Sequence, residues 1–353
     1  MIEIRKLWQM LELFPNPDNK KYVTANGGHA NQPGIDEFLT EFVDKTIGNY
    51  DVMTVGEAGG AKFEEAKHWV DETDGYFDMI FQFDHLGLWK AKDGQLDIEK
   101  LKDVLTKWQT GLQGKGWNAL YLENHDQPRS VSTWGEDTDL RKTSAKAFAT
   151  FYFLMQGTPF IYQGQEIGMT NIRLDSIDDY NDVSMKNRYK TELEDGKTHE
   201  ELMSSIWKNA RDNARTPMQW SDAPQAGFTT GTPWFSVNAN YPDINVKQAV
   251  KDPESIYHYY KKMIEIRKNT PALIFGSYEL LAEEHPQVYS YLRLYEGERY
   301  VVIVNPFNAP TEIDLGKGIK VDELLLSNYS IQGEMSSIMQ LESYEARVYK
   351  LAE

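Results

Sequence analysis

The sequence contains no cysteine, which excludes disulfide bonds and thiolate-ligated metal sites. A chain without cysteine suits a reducing compartment, so we predict a cytoplasmic location. Long apolar runs are also lacking, because polar residues interrupt each apolar segment well before the roughly 20 residues that span a bilayer. We therefore expect no membrane association.

Basic residues are scarce relative to acidic ones. Lys and Arg total 37 against 54 Asp and Glu, which gives a net charge of −17. Such a surface repels phosphate backbones and anionic lipid head groups, so nucleic-acid and membrane-surface roles are disfavoured, whereas a neutral substrate meets no repulsion. The 20 Tyr, 15 Phe and 9 Trp suit sugar binding as well as a large core, although core packing explains most of them.

Short apolar segments alternate with segments of helical periodicity over the first three quarters of the chain. The apolar segments predict four buried strands, which lie within DVMTVGEAGG (51–60), FDMIFQFDH (77–85), WNALYLENHD (117–126) and TPFIYQGQE (158–166). Helices are predicted from Ile35, over 98–112, over 140–156 and from Ile256 to near Asn269.

This alternation predicts a parallel sheet with helical cover. Each strand ends in polar residues, as in a β/α barrel, whose active site lies at the carboxyl ends of its strands. A closed barrel of this kind has eight strands, so the four predicted strands amount to half a barrel. A long polar stretch with little periodicity follows the fourth strand and continues to about Pro253.

The pattern of apolar and turn residues changes near residue 274. Short strand-like segments separated by turn residues follow, and they are SYELL, VYSYLRLY, RYVVIVNPF, VDELLLSN and ARVYKL. They predict a small all-β domain, a sandwich. We therefore divide the chain into a partial β/α barrel over 1–273 and a carboxyl-terminal β-sandwich domain over 274–353.

Two acidic positions are candidates for catalysis. Glu57 ends an apolar strand, where burial raises the pKa of a carboxyl group toward the range of a general acid. His125 and Asp126 together offer an N–H and two acceptors, a set that grips adjacent sugar hydroxyls. We expect Glu57 and Asp126 on neighbouring strand ends, as the carboxylate pair of a glycosidase. The structural alternatives are a solvated loop Glu57, and a turn in which Asp126 caps a helix.

The segment ARDNARTPMQW (210–220) carries two arginines four residues apart, Arg211 and Arg215. Either one can orient a catalytic carboxylate or hold a sugar hydroxyl, and a loop braced by Arg–Asp pairs is the structural alternative. The seven His residues show no two-His helical spacing suited to zinc. We therefore predict no metal and no cofactor.

Four segments in this order make a family recognisable, and they are MTVGEAGG, WNALYLENHDQPR, GTPFIYQGQEIGMTN and RDNARTPMQW. The chain resembles the oligo-1,6-glucosidase and α-glucosidase branch of the α-amylase superfamily. This resemblance implies the carboxyl-terminal half of a (β/α)8 TIM barrel. It also implies Glu57 as general acid/base, Asp126 as transition-state stabiliser and His125 as a sugar-binding residue. Arg211 or Arg215, with a slight preference for Arg211, would shape the innermost sugar subsite.

The family's nucleophile is an Asp in a segment like GFRxD, and this sequence has no such segment. We expect a truncated retaining α-glucosidase of short α-linked gluco-oligosaccharides (α-1,6, α-1,4 or both), inactive on its own. Its expected partner is an amino-terminal half or a second copy. The alternatives are a non-catalytic sugar-binding remnant and a sister glucosyl isomerase or phospho-sugar hydrolase of the same fold.

Overall fold

The short apolar strands that precede residue 274, in the part of the chain here called the first region, form one sheet. The computed structural model describes residues 33–90, 95–316, 318–331 and 336–352. Within them the strands pair in chain order, all parallel, and they are β1 (Val55–Glu57), β2 (Met79–Phe81), β3 (Trp117–Leu120) and β4 (Thr158–Pro159). The predicted parallel sheet is confirmed, although each ladder is shorter than the apolar segment that contains it.

One helix precedes this sheet along the chain, and others connect its successive strands. Those of the first region are α1 (Ile35–Lys45), α2 (Phe63–Ala66), α3 (Ile98–Leu112), α4 (Ser130–Thr133) and α5 (Arg141–Phe153). Apolar residues at helical spacing put Leu101, Leu105 and Leu112 of α3 in the core, and the Asp97 carboxylate caps its first turn at the N–H of Lys100 (3.2 Å). The helices predicted from Ile35, over 98–112 and over 140–156 are thereby confirmed.

The long polar stretch after β4 contains more helix than its sequence indicates. Its helices are α6 (Val183–Glu194), α7 (His199–Asn209) and α8 (Val246–Lys251), followed by α9 (Ile256–Asn269) and α10 (Ala272–Phe275). No helix was predicted from the sequence for the first three of these. Helix α6 buries none of its residues, so it has no apolar stripe by which periodicity reveals a helix.

The remaining strands are antiparallel, and the predicted all-β region is confirmed. They are β5 (Ser277–Leu281), β6 (Tyr289–Tyr295), β7 (Glu298–Val304), β8 (Thr311–Asp314), β9 (Val321–Ser327), β10 (Ile338–Leu341) and β11 (Ala346–Leu351). Five of them form a sheet of order β5-β6-β7-β11-β9, and β10 pairs with β8. Alternation along β7 sends Val301 and Ile303 toward the β8–β10 pair, while Val302 and Val304 face the first region.

The core continues from the first region into the β-rich region. Phe151 of α5 and Tyr289 of β6 belong to one buried cluster, with ring centroids 5.6 Å apart. Lys102 of α3, 2% exposed, donates from Nζ to the carbonyls of Ala282, Glu283 and His285 at 2.7–2.9 Å. The domain boundary that we placed after residue 273 stays a prediction.

Two further expectations concern membrane-spanning helices and a loop near the amino terminus. No helix in the described ranges is long and apolar enough to cross a membrane. The segment ANGGHANQPG (25–34), whose Gly, Asn and Pro residues predict a loop, falls almost wholly outside the described residues, which begin at Pro33.

Candidate active site

Glu57, the last residue of β1, is half-buried at the carboxyl edge of the sheet. Its register partner is Phe81 of β2, and the next N–H, that of Ala58, donates to the Phe81 carbonyl at 3.1 Å. Burial raises the pKa of the Tyr121 phenol, and the nearby carboxylates of Glu57 and Asp84 raise it further. Because Asp84 follows β2 and Tyr121 follows β3, the carboxyl ends of three strands meet around this phenol.

The loop after β3 is closed by the carboxylate of Glu123. This carboxylate accepts hydrogen bonds from the backbone N–H of Ser130 and from the guanidinium of Arg129, whose Nη1 lies 3.2 Å from Oε1. Inside the loop, the side-chain oxygen of Asn124 accepts the N–H of Asp126 at 2.8 Å. The backbone at Asp126 is therefore fixed by bonds within the loop and across its base.

Arg129 also joins this loop to two other segments. Its Nη1 donates to the carbonyl of Gln163 at 2.6 Å, beyond β4, and its Nη2 donates to the carbonyl of Ala214 at 3.4 Å. The guanidinium lies 5.3 Å from the centre of the Tyr162 ring. Since Ala214 precedes Arg215, this buried arginine fixes the loop that carries Asp126 relative to the segment that carries Arg215.

The carboxylate of Asp126 is the centre of a polar cluster. Nη2 of Arg215 lies 2.6 Å from Oδ1, Nη1 of Arg211 lies 3.6 Å from Oδ2, and Nε2 of His125 lies 3.7 Å from Oδ1. Nε of Arg215 donates to the carbonyl of His125 at 2.8 Å. One guanidinium thus grips both the side chain and the adjoining backbone of the loop, which gives Asp126 one orientation.

A single helical turn brings both arginines to this carboxylate. Residues Arg211–Ala214 form a 3-10 turn shortly after α7, and Arg211 at its start and Arg215 just past its end both approach Asp126. Within that turn Asp212 is fully buried, and its Oδ2 accepts the N–H groups of Asn181 and Asp182 at 2.5 and 2.9 Å. Its Oδ1 lies 3.9 Å from Nη1 of Arg215. Asp212 therefore anchors the turn that presents the arginines.

The structure brings together four of the five predicted site residues, namely His125, Asp126, Arg211 and Arg215. At Asp126, Arg215 makes a closer contact than Arg211 (2.6 Å against 3.6 Å), and the slight preference for Arg211 as the subsite arginine stays a prediction. Glu57 lies at the same edge of the sheet, but the expectation of neighbouring strand ends was wrong, because β2 lies between β1 and β3. The chemical roles of all five residues stay predictions.

Sequence reasoning missed the Glu123–Arg129 pair. Its signal is a charged residue at each end of a short loop, with the first directly following the apolar residues of β3 and its extension. Burial shows what that signal means, since the two side chains are 2% and 0% exposed. A buried charge of this kind is retained only with a partner.

No group of three or more His, Asp or Glu side chains that could hold a metal ion occurs among the residues that the structure describes. The polar cluster around Asp126 combines one carboxylate with two guanidinium groups, and cations near it would repel a metal ion. Its chemistry is that of hydrogen bonding toward an uncharged ligand, with the Asp126 carboxylate as an acceptor.

Two family models match the chain. Residues 6–276 match the alpha-amylase catalytic domain, and residues 278–348 match the C-terminal domain of maltogenic amylase. The chain is similar to probable oligo-1,6-glucosidase 3 of Bacillus subtilis (strain 168), at 46% identity over 340 residues. That alignment covers 95% of this chain and 61% of the relative, so the chain spans about 61% of the length of this curated relative.

Solved structures give the same fold. A trehalose-6-phosphate hydrolase of Bacillus licheniformis superposes with a TM-score of 0.86 at 38% identity, covering 95% of this chain and 62% of that chain. The isomaltulose synthase of Klebsiella sp. LX3 superposes with a TM-score of 0.85 at 34% identity, covering 91% of this chain and 59% of that chain.

Proposed function

Because this chain belongs to the α-amylase family of glycoside hydrolases, we propose that it carries part of the active site of an α-glucosidase. The substrates would be short α-linked gluco-oligosaccharides with α-1,6 linkages, α-1,4 linkages or both. One observation supports this proposal more strongly than any other. The Asp126 carboxylate is gripped by Arg215 and flanked by His125 and Arg211, at the edge of the sheet where Glu57 lies.

Glu57 acts in this proposal as the general acid and then as the general base. It protonates the glycosidic oxygen while that oxygen leaves, and it later takes a proton from the water that attacks the anomeric carbon. The half-buried position of Glu57 at a strand end supports this role, because a carboxyl group there is held on a rigid element and is partly shielded from water.

Asp126 stabilises the positive charge that develops at the anomeric carbon, and it accepts hydrogen bonds from sugar hydroxyls. Its two oxygens lie against different cations, Oδ1 near Arg215 and Oδ2 near Arg211, so the carboxylate cannot rotate freely. The exposed ring of His125, 3.7 Å from Oδ1, offers an N–H to an adjacent hydroxyl. Fixed charges of this kind need no reorganisation during the reaction.

Retaining hydrolysis also needs a nucleophilic carboxylate, which the family carries in a segment like GFRxD. Since this sequence has no such segment, we propose that an amino-terminal half with the family's nucleophile completes the site and that these residues alone are nearly inactive. Exposed apolar residues beside the outer strand β1 support an additional partner surface, with Tyr50 at 73% and Met53 at 66% exposure. Self-association is the alternative, and sedimentation distinguishes a dimer from a monomer.

Hydrolysis of an aryl α-glucoside by the purified chain tests this proposal, with Glu57→Gln as the control. We expect turnover far below the 1–1,000 per second that is typical of enzymes. An amino-terminal half of a relative, added in trans, should raise the rate only when Glu57 is present. Turnover that survives Glu57→Gln would contradict the assigned acid/base.

The same assay on isomaltose, maltose and trehalose 6-phosphate distinguishes the specificities found among similar proteins. The similarity to a trehalose-6-phosphate hydrolase makes the phosphorylated sugar a necessary member of this panel. We expect the neutral sugars to be preferred, because the chain carries a net charge of −17.

A further inference from the structure

A cavity of about 580 Å³ opens beside the segment that carries Arg211 and Arg215. Its walls come from residues 179–181 on one side and from the segment 224–241 on the other. This volume is in the range of small-molecule sites, and no role assigned above uses the cavity.

Trp234 is the most prominent side chain of the cavity wall. It is 66% exposed, whereas its neighbour Phe235 is 2% exposed, and the two ring centroids lie 5.5 Å apart with their planes tilted by 43°. The buried ring therefore supports an indole whose surface faces solvent. An indole at the wall of a cavity offers an apolar surface on which a ring-shaped ligand can stack.

The wall that carries Trp234 is tied to the Asp126 loop. Asn238, 7% exposed, donates from its amide to the carbonyls of Thr170 and Asn171, both at 3.1 Å. The side-chain oxygen of Asn171 in turn accepts the N–H of Arg129 at 2.9 Å. The Trp234 segment is therefore connected through two residues, Asn238 and Asn171, to Arg129, which braces the Asp126 loop.

The opposite wall is tied to Arg215. Asn181 lines the cavity, and its N–H donates to Oδ2 of Asp212 at 2.5 Å, while Oδ1 of Asp212 lies 3.9 Å from Arg215. Because both walls are anchored to the groups that hold Asp126, a ligand in the cavity is held in a fixed relation to that carboxylate.

The polar groups of the cavity suit a neutral ligand with many hydroxyl groups. The described residues that line it include no Lys, Arg or His, and their polar side chains are Asp179, Asn181, Gln225, Thr232, Ser236 and Tyr241. Amides, hydroxyls and one carboxylate can donate to and accept from sugar hydroxyls. A phosphate group would find no cation among these side chains and would meet the charge of Asp179.

The rim of the cavity contains a strained turn. Gln225 and Ala226 both adopt left-handed backbone conformations, with φ of 55° and 56°, which are unfavourable for residues with a side chain. The Ala226 carbonyl holds the turn by accepting the N–H groups of Trp220 and Ser221, both at 2.9 Å. Strain of this kind persists where the surroundings enforce it and is concentrated at ligand-binding positions.

We infer that this cavity is an outer sugar subsite, in which Trp234 stacks on a glucosyl unit remote from the bond that faces Glu57 and Asp126. The inference rests on the proposed function, because that function supplies the class of ligand. It adds a length preference, because an oligosaccharide that contacts both Asp126 and Trp234 should bind more tightly than a single glucosyl unit at Asp126.

Binding of isomaltotetraose and methyl α-glucoside to the full chain, measured by calorimetry, tests this inference without requiring turnover. Trp234→Ala should weaken isomaltotetraose binding roughly tenfold, the loss expected for one stacked face, and should leave methyl α-glucoside binding unchanged. Trp220→Ala is the matched control, because Trp220 is also exposed, at 51%, and does not line the cavity. Trp234→Tyr should recover part of the affinity, which a folding defect would not allow.

Equal binding of isomaltotetraose by wild type and Trp234→Ala would overturn the subsite, as would a wild type that binds no isomaltotetraose. The proposed function fails on a different result. If isomaltotetraose binding depends on Trp234 but Asp126→Asn does not change methyl α-glucoside binding, the cavity stands as a sugar site and the assignment of Asp126 falls.

Discussion

Two ion pairs involve the loop that runs from Glu123 to Arg129, and they differ in almost every physical respect. Glu123 and Arg129 are 2% and 0% exposed, and Arg129 is bound to backbone carbonyls of two other segments. Asp126 and Arg215 are 30% and 28% exposed and make a close contact of 2.6 Å at the open side of the loop. The first pair holds the loop together, whereas the second presents charge to a ligand.

The comparison teaches that the cost of losing a charge depends on its surroundings more than on its partner distance. A buried charge without a partner cannot be hydrated, so its removal is expensive for folding. A half-exposed charge regains water when its partner is lost, so its removal is inexpensive for folding and expensive only for function. The following predictions run from the largest expected effect on stability to the smallest.

Arg129→Met should lower the free energy of unfolding by about 3–5 kcal/mol, because it leaves the Glu123 carboxylate buried without its cation. Urea denaturation measures this loss. The double variant Glu123→Gln/Arg129→Met removes both charges and should be more stable than the single variant. If the double variant is the less stable of the two, the buried pair is not held by charge compensation and the comparison fails.

A buried histidine should make stability depend on pH. His85, 3% exposed, accepts a hydrogen bond at Nδ1 from Gln82 at 3.0 Å, and burial lowers its pKa to about 4. As the pH falls from about 6.5, the ordinary pKa, the unfolded chain takes up a proton that the folded chain does not. The stability present above about pH 6.5 is therefore lost as the pH approaches about 4, by about 3 kcal/mol.

His85→Gln isolates this contribution. Unfolding free energies of wild type and variant, compared at about pH 7 and about pH 4.5, cancel the groups that both chains share. We expect the wild type to lose more stability than the variant over this range. Parallel pH profiles would show that the histidine does not carry the effect.

Loss of the half-exposed pair of Asp126 and Arg215 should affect ligand binding more than stability. Arg215→Met should change the free energy of unfolding by at most about 1 kcal/mol, yet it should abolish most methyl α-glucoside binding because Asp126 loses its orienting contact. Arg211→Met is the matched comparison, and its effect on binding should be smaller, in line with the 3.6 Å separation. Equal losses of affinity would mean that the closer contact has no special role.

A fully solvated pair gives the lower limit of the series. Lys247 and Asp222 lie 2.7 Å apart with side chains 48% and 45% exposed. Lys247→Met should leave the midpoint of urea unfolding and the sugar affinity unchanged within error, since solvent screens such pairs. A measurable loss of stability would show that exposure alone does not rank these ion pairs.

The sequence predicts the elements whose burial is periodic. Helix α9 begins at Ile256 and ends at Asn269, as its apolar spacing and the following Pro271 indicate. Helix α7 was missed although Thr198 and Glu201 form a capping box at its start, a signal that the polar composition of the region obscured. Strand β3 ends at Leu120 while the buried apolar run continues to Leu122, because burial alone does not show where ladder pairing stops.

The candidate site is predictable only in part for a related reason. Asp126 and Arg215 are 89 positions apart, and only their short motifs marked both as candidates. The preference between Arg211 and Arg215 depends on which arginine the buried carboxylate of Asp212 directs toward Asp126, and this is a matter of tertiary contact. Arg129 and Glu123 were not marked from the sequence as candidate site residues, because their role follows from burial and not from residue type.

The shared core of the two regions restricts recombination between related genes. Tyr289, Val302 and Val304 face the first region, and Lys102 of α3 satisfies three carbonyls between β5 and β6. A gene fragment that encodes only the β-rich strands would expose this face and leave those carbonyls unbound. Recombination near the boundary should therefore be tolerated only when both regions come from the same parent, so that they evolve as one inherited unit rather than as exchangeable modules.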